Sequence, residues 1–227
     1  MFRYETHLHT APVSRCAQAS VRETLEFYKS MGYDGVFITN HFLDGNVNAD
    51  RSLSYEEQIA FYLSDYEEGC RLAEEIGIKV FAGVELSYFG TDFLIYGLNK
   101  EWYLSHPQIM EMDRRAELEF MMSCGALVIQ AHPFREAGYI DHLRLFPRSV
   151  HGAEIINANR SEFENHMAAL YAQNYQLLEF AGTDNHIAGR QVKLAGMCCE
   201  EPVHNELDFV DKVKGGRMKV FTLENVR

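Results

Sequence analysis

Phe2-Arg3-Tyr4-Glu5-Thr6-His7-Leu8-His9 has the make-up of a strand and ends on two histidines one residue apart. In an extended chain residues i and i+2 face the same side, so His7 and His9 aim together while Leu8 faces the opposite way. Over residues 20–31 the period changes: Val21, Leu25, Tyr28 and Met31 recur with helical spacing, Ser20 is a good N-cap, and Gly32 stops the run. A short strand ending in polar residues, followed by an amphipathic helix, is the unit from which the rest of the chain can be read.

The unit recurs. Gly35-Val36-Phe37-Ile38-Thr39 reads as a buried strand leading into Asn40-His41, and residues 55–76 as one long helix closed by Gly77. Strands follow at 79–85, ending on Glu85, and at 92–97, beginning on Asp92. A helix over 108–123 precedes a strand at 126–131 that runs into His132-Pro133. A strand at 153–157, a helix at 161–173 and a strand at 178–181 lead into Gly182-Thr183-Asp184-Asn185-His186. The tail predicts a helix over 207–214 and a short strand at 218–221. About seven such units in α/β order predict a parallel sheet, either closed as a barrel or doubly wound. In both arrangements chemistry gathers at the C-terminal strand ends. His7, His9, His41, Glu85, His132, Asp184 and His186 all fall there, whereas scattered surface residues would fall anywhere.

With 227 residues the chain is long enough for one sizeable core. It shows no repeat, low-complexity tract or linker, so residues 1–227 are expected to form a single domain. Acidic residues outnumber basic ones 33 to 21, a net charge of −12 that argues against a long nucleic acid as partner. A small phosphate ester stays open, because bound cations reverse the local sign. No apolar run approaches the roughly 18 residues of a membrane span. The five cysteines (Cys16, Cys70, Cys124, Cys198, Cys199) are odd in number and lack CxxC spacing. With a polar, His-rich start in place of a leader, they are expected to be reduced thiols in a cytoplasmic protein.

His7 and His9 offer two imidazoles to one point, and Asp184-Asn185-His186 repeats that geometry with a carboxylate and an imidazole. Neutral imidazoles and carboxylates are the donor set for Zn²⁺, Mn²⁺ or Fe²⁺. A carboxylate such as Glu85 can bridge two ions, which at about 3.5–4 Å apart clamp a phosphoryl group and its nucleophile.

The ordered motifs His7-Leu8-His9-Thr10, Ile38-Thr39-Asn40-His41, Gly83-Val84-Glu85, Ala131-His132-Pro133 and Gly182-Thr183-Asp184-Asn185-His186 resemble the PHP (polymerase and histidinol phosphatase) family of metal-dependent phosphoesterases, over residues 2 to about 190. The resemblance implies a distorted, TIM-like (β/α)7 barrel carrying two or three divalent ions and hydrolysing phosphate esters. It also implies that His7, His9, Glu85, His132, Asp184 and His186 are metal ligands, with His41 at a third-ion position. Three positions depart from the pattern. Asn40 stands where the family often has Asp, Ser14-Arg15-Cys16 where it commonly has an Asp or His, and Asp92 where a further His is usual. Asp92 is expected to serve as a substitute ligand.

A phosphate also calls for guanidinium, which donates two parallel hydrogen bonds. Arg135 and Arg160 lie on the expected face, with Arg15 and Arg190 near the rim. The leaving alkoxide would take its proton from His186 or His41. His106, His142, His151, His166 and His204 read as surface residues, and no base for a Cys16 nucleophile follows from the sequence. Two other readings compete: an amidohydrolase-type hydrolase of C–N bonds, which would often carry a bridging lysine where this chain has Glu85, and a metal-binding regulatory domain without turnover.

Overall fold

A computed structural model describes residues 1–224, and its ten strands lie in two five-stranded sheets. The first has the order β10-β9-β1-β2-β3, built from β1 (Phe2–Leu8), β2 (Gly35–Ile38), β3 (Lys79–Ala82), β9 (Lys193–Cys199) and β10 (Lys219–Glu224). The second has the order β4-β5-β6-β7-β8: β4 (Val84–Tyr88), β5 (Thr91–Tyr96), β6 (Leu127–Ala131), β7 (Gly152–Asn157) and β8 (Leu178–Gly182). The sheets meet along two seams, crossed by the isolated bridges Leu8–Asn185 and His41–Glu85. The mixed α/β class follows the sequence, but among the described residues no continuous ladder closes a barrel.

Two further expectations are corrected. The ladders are not uniformly parallel: β1–β2, β2–β3, β6–β7 and β7–β8 are, whereas β4–β5, β5–β6, β1–β9 and β9–β10 are antiparallel. The run 79–85 is not one strand either. It breaks at Gly83, so that β3 ends one sheet and β4 begins the other. A Cβ at Gly83 would stand 2.6 Å from the Thr39 methyl and 3.1 Å from the Tyr96 ring, so this crossing needs glycine.

The helices follow the predicted pattern with local breaks. In α1 (Val21–Ser30), Ser20 and Glu23 form a reciprocal capping box, and Val21, Leu25 and Tyr28 are buried. The predicted 55–76 helix divides at Leu63 into α2 (Tyr55–Tyr62) and α3 (Ser64–Ile76), which ends on left-handed Gly77. The 108–123 helix shortens to α5 (Arg114–Ser123) behind a 3₁₀ turn, Pro107–Glu111, and α4 (Lys100–Ser105) precedes it. α6 (Glu162–Tyr175) and α7 (Glu206–Lys214) complete the set. No helix among the described residues is long and apolar enough to cross a membrane.

The strand β9 had no counterpart in the sequence reading. Lys-Leu-Ala-Gly-Met-Cys-Cys lacks β-branched residues, and its place is fixed by pairing on both sides, with β1 and with β10. Inside the strand assembly, Tyr4, Phe37, Phe81, Tyr96, Phe180 and Phe209 form an apolar layer, with Phe37 and Phe209 ring centres 4.2 Å apart.

Candidate metal centre

The first sheet brings His7 and His9 from the end of β1 and His41 from beyond β2. The second brings Glu85 on β4, His132 after β6, and Asp184 and His186 after β8. Asp92 sits near the start of β5 and still reaches the same face, because β5 runs antiparallel to both its neighbours. The backbone crosses the seam here, with Asp184 N–H donating to His7 O at 2.7 Å, His9 N–H to Asn185 O at 2.9 Å and Glu85 N–H to Asn40 O at 3.1 Å. His132 and Asp184 have φ of 26° and 60°, in the left-handed region that non-glycine residues adopt at a cost of order 1–3 kcal/mol.

The side chains converge. Glu85 Oε1 lies 3.2 Å from His7 Nε2 and 3.5 Å from His132 Nε2; its Oε2 lies 3.2 Å from His9 Nε2 and 2.9 Å from His41 Nδ1. Asp184 Oδ1 is 3.5 Å from His7 Nε2 and 3.4 Å from His9 Nε2. Asp92 Oδ2 is 3.8 Å from His132 Nε2. The donors fall into three sets, each with its ligand atoms within 4.8 Å of one another: His7, His9 and Asp184; His7, Glu85 and His132; and His9, Cys16, His41 and His186.

Hydrogen bonds fix how these rings point. His7 Nδ1 is 2.9 Å from Glu154 Oε1, so Nδ1 carries a proton toward that carboxylate and Nε2 points the other way. Ser14 donates its hydroxyl to Asn40 Oδ1 at 2.9 Å and so accepts from His9 Nδ1 at 3.1 Å. His186 Nδ1 donates to the Asp184 carbonyl at 2.8 Å. In all three rings Nε2 is the nitrogen turned toward the cluster, the arrangement that outer partners impose on metal-ligating histidines. Glu154 also accepts from His132 N–H at 3.0 Å and Asn157 Nδ2 at 2.9 Å, so one buried carboxylate sets two candidate ligands. Gly182 makes room for this contact: a Cβ there would meet His7 Cβ at 2.4 Å and Glu154 Oε1 at 2.8 Å. The carboxylate that Asn40 lacks is supplied nearby by buried Asp65 of α3, which accepts from Thr10 Oγ1 at 2.7 Å and Asn40 Nδ2 at 3.1 Å.

The electrostatics describe a site built for cations. Burial alone would raise the Glu85 carboxyl, but His41, His7 and His9 together hold it well below the usual carboxylate range. Burial likewise opposes charge on Asp184, and His7 and His9 hold it low. Burial would lower His7, yet Glu154, Asp184 and Glu85 hold it well above an ordinary imidazole. Burial and the Glu85 charge push Asp92 up, partly offset by His132. Despite its close neighbours, Glu85 Oε2 has no partner in hydrogen-bond geometry among the described residues, nor has His132 Nδ1. A buried carboxylate oxygen surrounded by nitrogens but bonded to none is costly unless a cation meets it, and the donor set therefore fits divalent metal ions.

The four arginines are placed differently. Arg135 is part-buried beside the centre, 3.1 Å from Asp92 Oδ2 and stacked over the Tyr139 ring, with Asp184 and Glu85 also adding to its field. Arg160 faces Glu164 of α6 at 4.0 Å. Arg15 bonds Asn48 and the Val47 carbonyl, and Arg190 bonds Gln18; both are exposed. Glu154 is a residue to which the sequence assigns no part in the site, and Cys16, weighed from the sequence as a nucleophile, lies among imidazoles. Glu154 was one acid within an apolar strand, and only the sheet register turns it inward. Cys16 sits in a loop, where no period indicates direction, and the structure sets it against His41 and His186. Burial would raise its thiol, but those imidazoles bring it down to about 5.

No family model matches the chain, and no curated protein matches it. Solved structures do. A two-domain protein from Bacteroides vulgatus, containing a predicted PHP-like metal-dependent phosphoesterase, superposes with a TM-score of 0.67 at 13% identity, over 97% of this chain and 64% of that one. This chain thus spans about 64% of that relative's length. A protein from Bifidobacterium adolescentis, provisionally described as a metal-dependent phosphoesterase, matches with a TM-score of 0.52 at 13% identity, over 82% of this chain and 88% of that one. An amidohydrolase from Chromobacterium violaceum, with bound sulfate and no metal, matches at 0.54 and 14% identity, over 96% and 97%. At these identities the likeness is one of fold.

Proposed function

We propose that this protein is a metal-dependent phosphoesterase that hydrolyses a small phosphomonoester, such as an alcohol, sugar or nucleotide phosphate. One observation carries the reading: Glu85 divides four imidazoles two and two, Oε1 toward His7 and His132 and Oε2 toward His9 and His41. A carboxylate so placed would be available to more than one ion. His7, His9, Glu85, Asp184, His132 and Asp92 would hold two divalent ions of the zinc, manganese or iron class. When bound, such ions neutralise charge on phosphoryl oxygens and lower the pKa of a water nucleophile.

The remaining parts follow from this chain's own residues. Arg135 would turn from Asp92 to a non-bridging phosphate oxygen once a cation takes over that carboxylate. His41 and His186 border the more open side of the centre, where the leaving oxygen would either take a proton from them or meet an ion they hold. The phosphoesterase descriptions of two fold neighbours support the reading, and the net charge of −12 favours a small substrate over a long nucleic acid. The amidohydrolase neighbour keeps a C–N hydrolase in view, but the residue that four imidazoles surround here is Glu85 and not a lysine.

The test is turnover of p-nitrophenyl phosphate by metal-stripped protein resupplied in turn with Mn²⁺, Zn²⁺, Fe²⁺ or Mg²⁺. Restored hydrolysis that disappears in His9→Ala is expected. Stoichiometric metal binding with no hydrolysis of this ester, or of a panel of natural phosphomonoesters, would overturn the reading in favour of C–N hydrolysis or a binding role.

A further inference from the structure

The donor set on the open side differs in kind from the other two. Cys16 Sγ and one nitrogen each of His9, His41 and His186 all lie within 4.8 Å of one another. A tetrahedral ion with bonds of about 2.0–2.3 Å to nitrogen and sulfur spaces its ligands ~3.5 Å apart, so one ion can reach all four atoms with small side-chain shifts. The loop that carries Cys16 is pinned on both sides. Arg15 N–H donates to Asn46 O at 2.9 Å, and Gln18 N–H donates to the carbonyl of His186 itself at 2.8 Å. The hydroxyl of Ser14 accepts from His41 N–H at 3.0 Å. Cys16 is therefore held beside the two histidines by backbone that those histidines share. It is half-buried, and the structure records it, like the other four cysteines, as a free thiol.

We propose that Cys16, His41 and His186 form a thiolate-bearing metal site, distinct in its donors from the carboxylate-rich pair and selective for soft or borderline ions such as Zn²⁺ or Co²⁺ over Mn²⁺ and Mg²⁺. His9 already faces His7 and Asp184, and a neutral imidazole has one lone pair, so His9 serves only one ion at a time. Left to the inner set, it gives the outer ion three protein ligands and one open position, the pattern of a reactive rather than a purely structural zinc. Thiolate selects zinc-like ions, whereas the Glu85, Asp92 and Asp184 oxygens also suit harder ones. The segment Ser14-Arg15-Cys16 thus supplies a third-ion ligand, of a different element from the oxygen or nitrogen expected at that place. The inference concerns binding alone and stands whether or not the phosphoesterase reading does.

Metal-stripped full-length protein titrated with Co²⁺ tests it, alongside Cys16→Ala and Cys16→Ser, with ion counts by elemental analysis. The wild type should show a near-ultraviolet thiolate-to-cobalt charge-transfer band and bind one ion more than either variant; Zn²⁺ should bleach the band and Mn²⁺ should not. Zn²⁺ should also shield Cys16 from iodoacetamide, located by peptide mapping, which separates it from adjacent Cys198 and Cys199. Retention of the band in both variants, an unchanged ion count, or equal alkylation of Cys16 with and without Zn²⁺ would overturn the proposal. Circular dichroism identifies a variant that fails to fold, and the other variant then carries the comparison.

Discussion

Phe37, Phe81, Tyr96, Phe180 and Phe209 fill one layer of the strand assembly, and His7, His9, Glu85, His132 and Asp184 fill the next. Phe209 aside, which comes from α7, the two layers draw on neighbouring stretches of chain: Phe37 lies on β2 with His41 just beyond that strand, and Phe180 lies on β8 with Asp184 just after it. The aromatic layer is complete in itself. Its rings pack at centre distances of 4.2 Å for Phe37–Phe209 and 4.8 Å for Phe37–Phe81, and burial of apolar surface needs no further partner. The polar layer is incomplete. It holds two left-handed residues, and among the described residues Glu85 Oε2 and His132 Nδ1 lack hydrogen-bond partners. One layer gives stability and the other spends some of it on a site that only a cation satisfies.

That contrast can be broken by experiment, beginning with its largest consequence. Asp184→Asn keeps the shape but removes a charge that faces His7 and His9, and should lower metal-restored turnover by ~10³-fold or more, about 4 kcal/mol in the barrier. Thermal melting should stay near wild type; wild-type turnover in the purified variant would show that the polar layer is not the reactive one. Phe209→Ala reverses the pattern. It should cost about 3–5 kcal/mol in urea unfolding while the number of bound ions stays unchanged, and a lost ion would mean that the layers are not separable.

Glu154→Gln probes the support behind the polar layer. With its carboxylate gone, His7 Nδ1 and His132 N–H lose a charged acceptor, and metal affinity by competitive chelator titration should fall about 10–100-fold. Unchanged affinity would demote Glu154 to packing. The smallest effect lies at the opposite end, where His151 precedes β7 and its Nδ1 accepts from Val128 N–H at 3.1 Å. Burial, then Lys214, lowers its pKa from 6.5 to about 4, so the native state stays neutral while the unfolded chain gains a proton. Stability is therefore lost as pH falls from 6.5 toward about 4. Because the ring is partly exposed, the loss by pH 5 should be only about 1 kcal/mol, and His151→Gln should abolish it in denaturation at pH 7 and pH 5. Equal pH dependence in both proteins would exclude His151 as the source.

Several of these residues were legible in advance for a specific reason. His7 and His9 share a direction because strand periodicity is two, and His41, His132, Asp184 and His186 follow apolar runs whose ends a parallel arrangement turns to one face. Glu85 and Asp92 reach that face by another route. Glu85 opens β4 after the break at Gly83, and Asp92 begins an antiparallel strand. Neither reversal leaves a trace in local hydrophobicity. Among the arginines the sequence gives only proximity along the chain, and it is tertiary contact that sets Arg135 beside Asp92 while Arg15 and Arg190 bond to loops.

By itself, the sequence determined the alternation of strands and helices, the amphipathic faces, the capping boxes at Ser20, Ser54 and Ser161, and the concentration of imidazoles and carboxylates after strands. These are local properties, fixed by propensity, periodicity and short-range hydrogen bonds. Only the tertiary structure decided that the strands form two sheets and that β9 is inserted between β1 and β10. It alone decided that Glu154 holds His7 and that Cys16 meets His41 and His186. Those facts depend on register and on contacts between residues far apart in the chain, 147 positions for His7 and Glu154, and a side chain's direction across such a distance is set by the partner strand, not by its own neighbours.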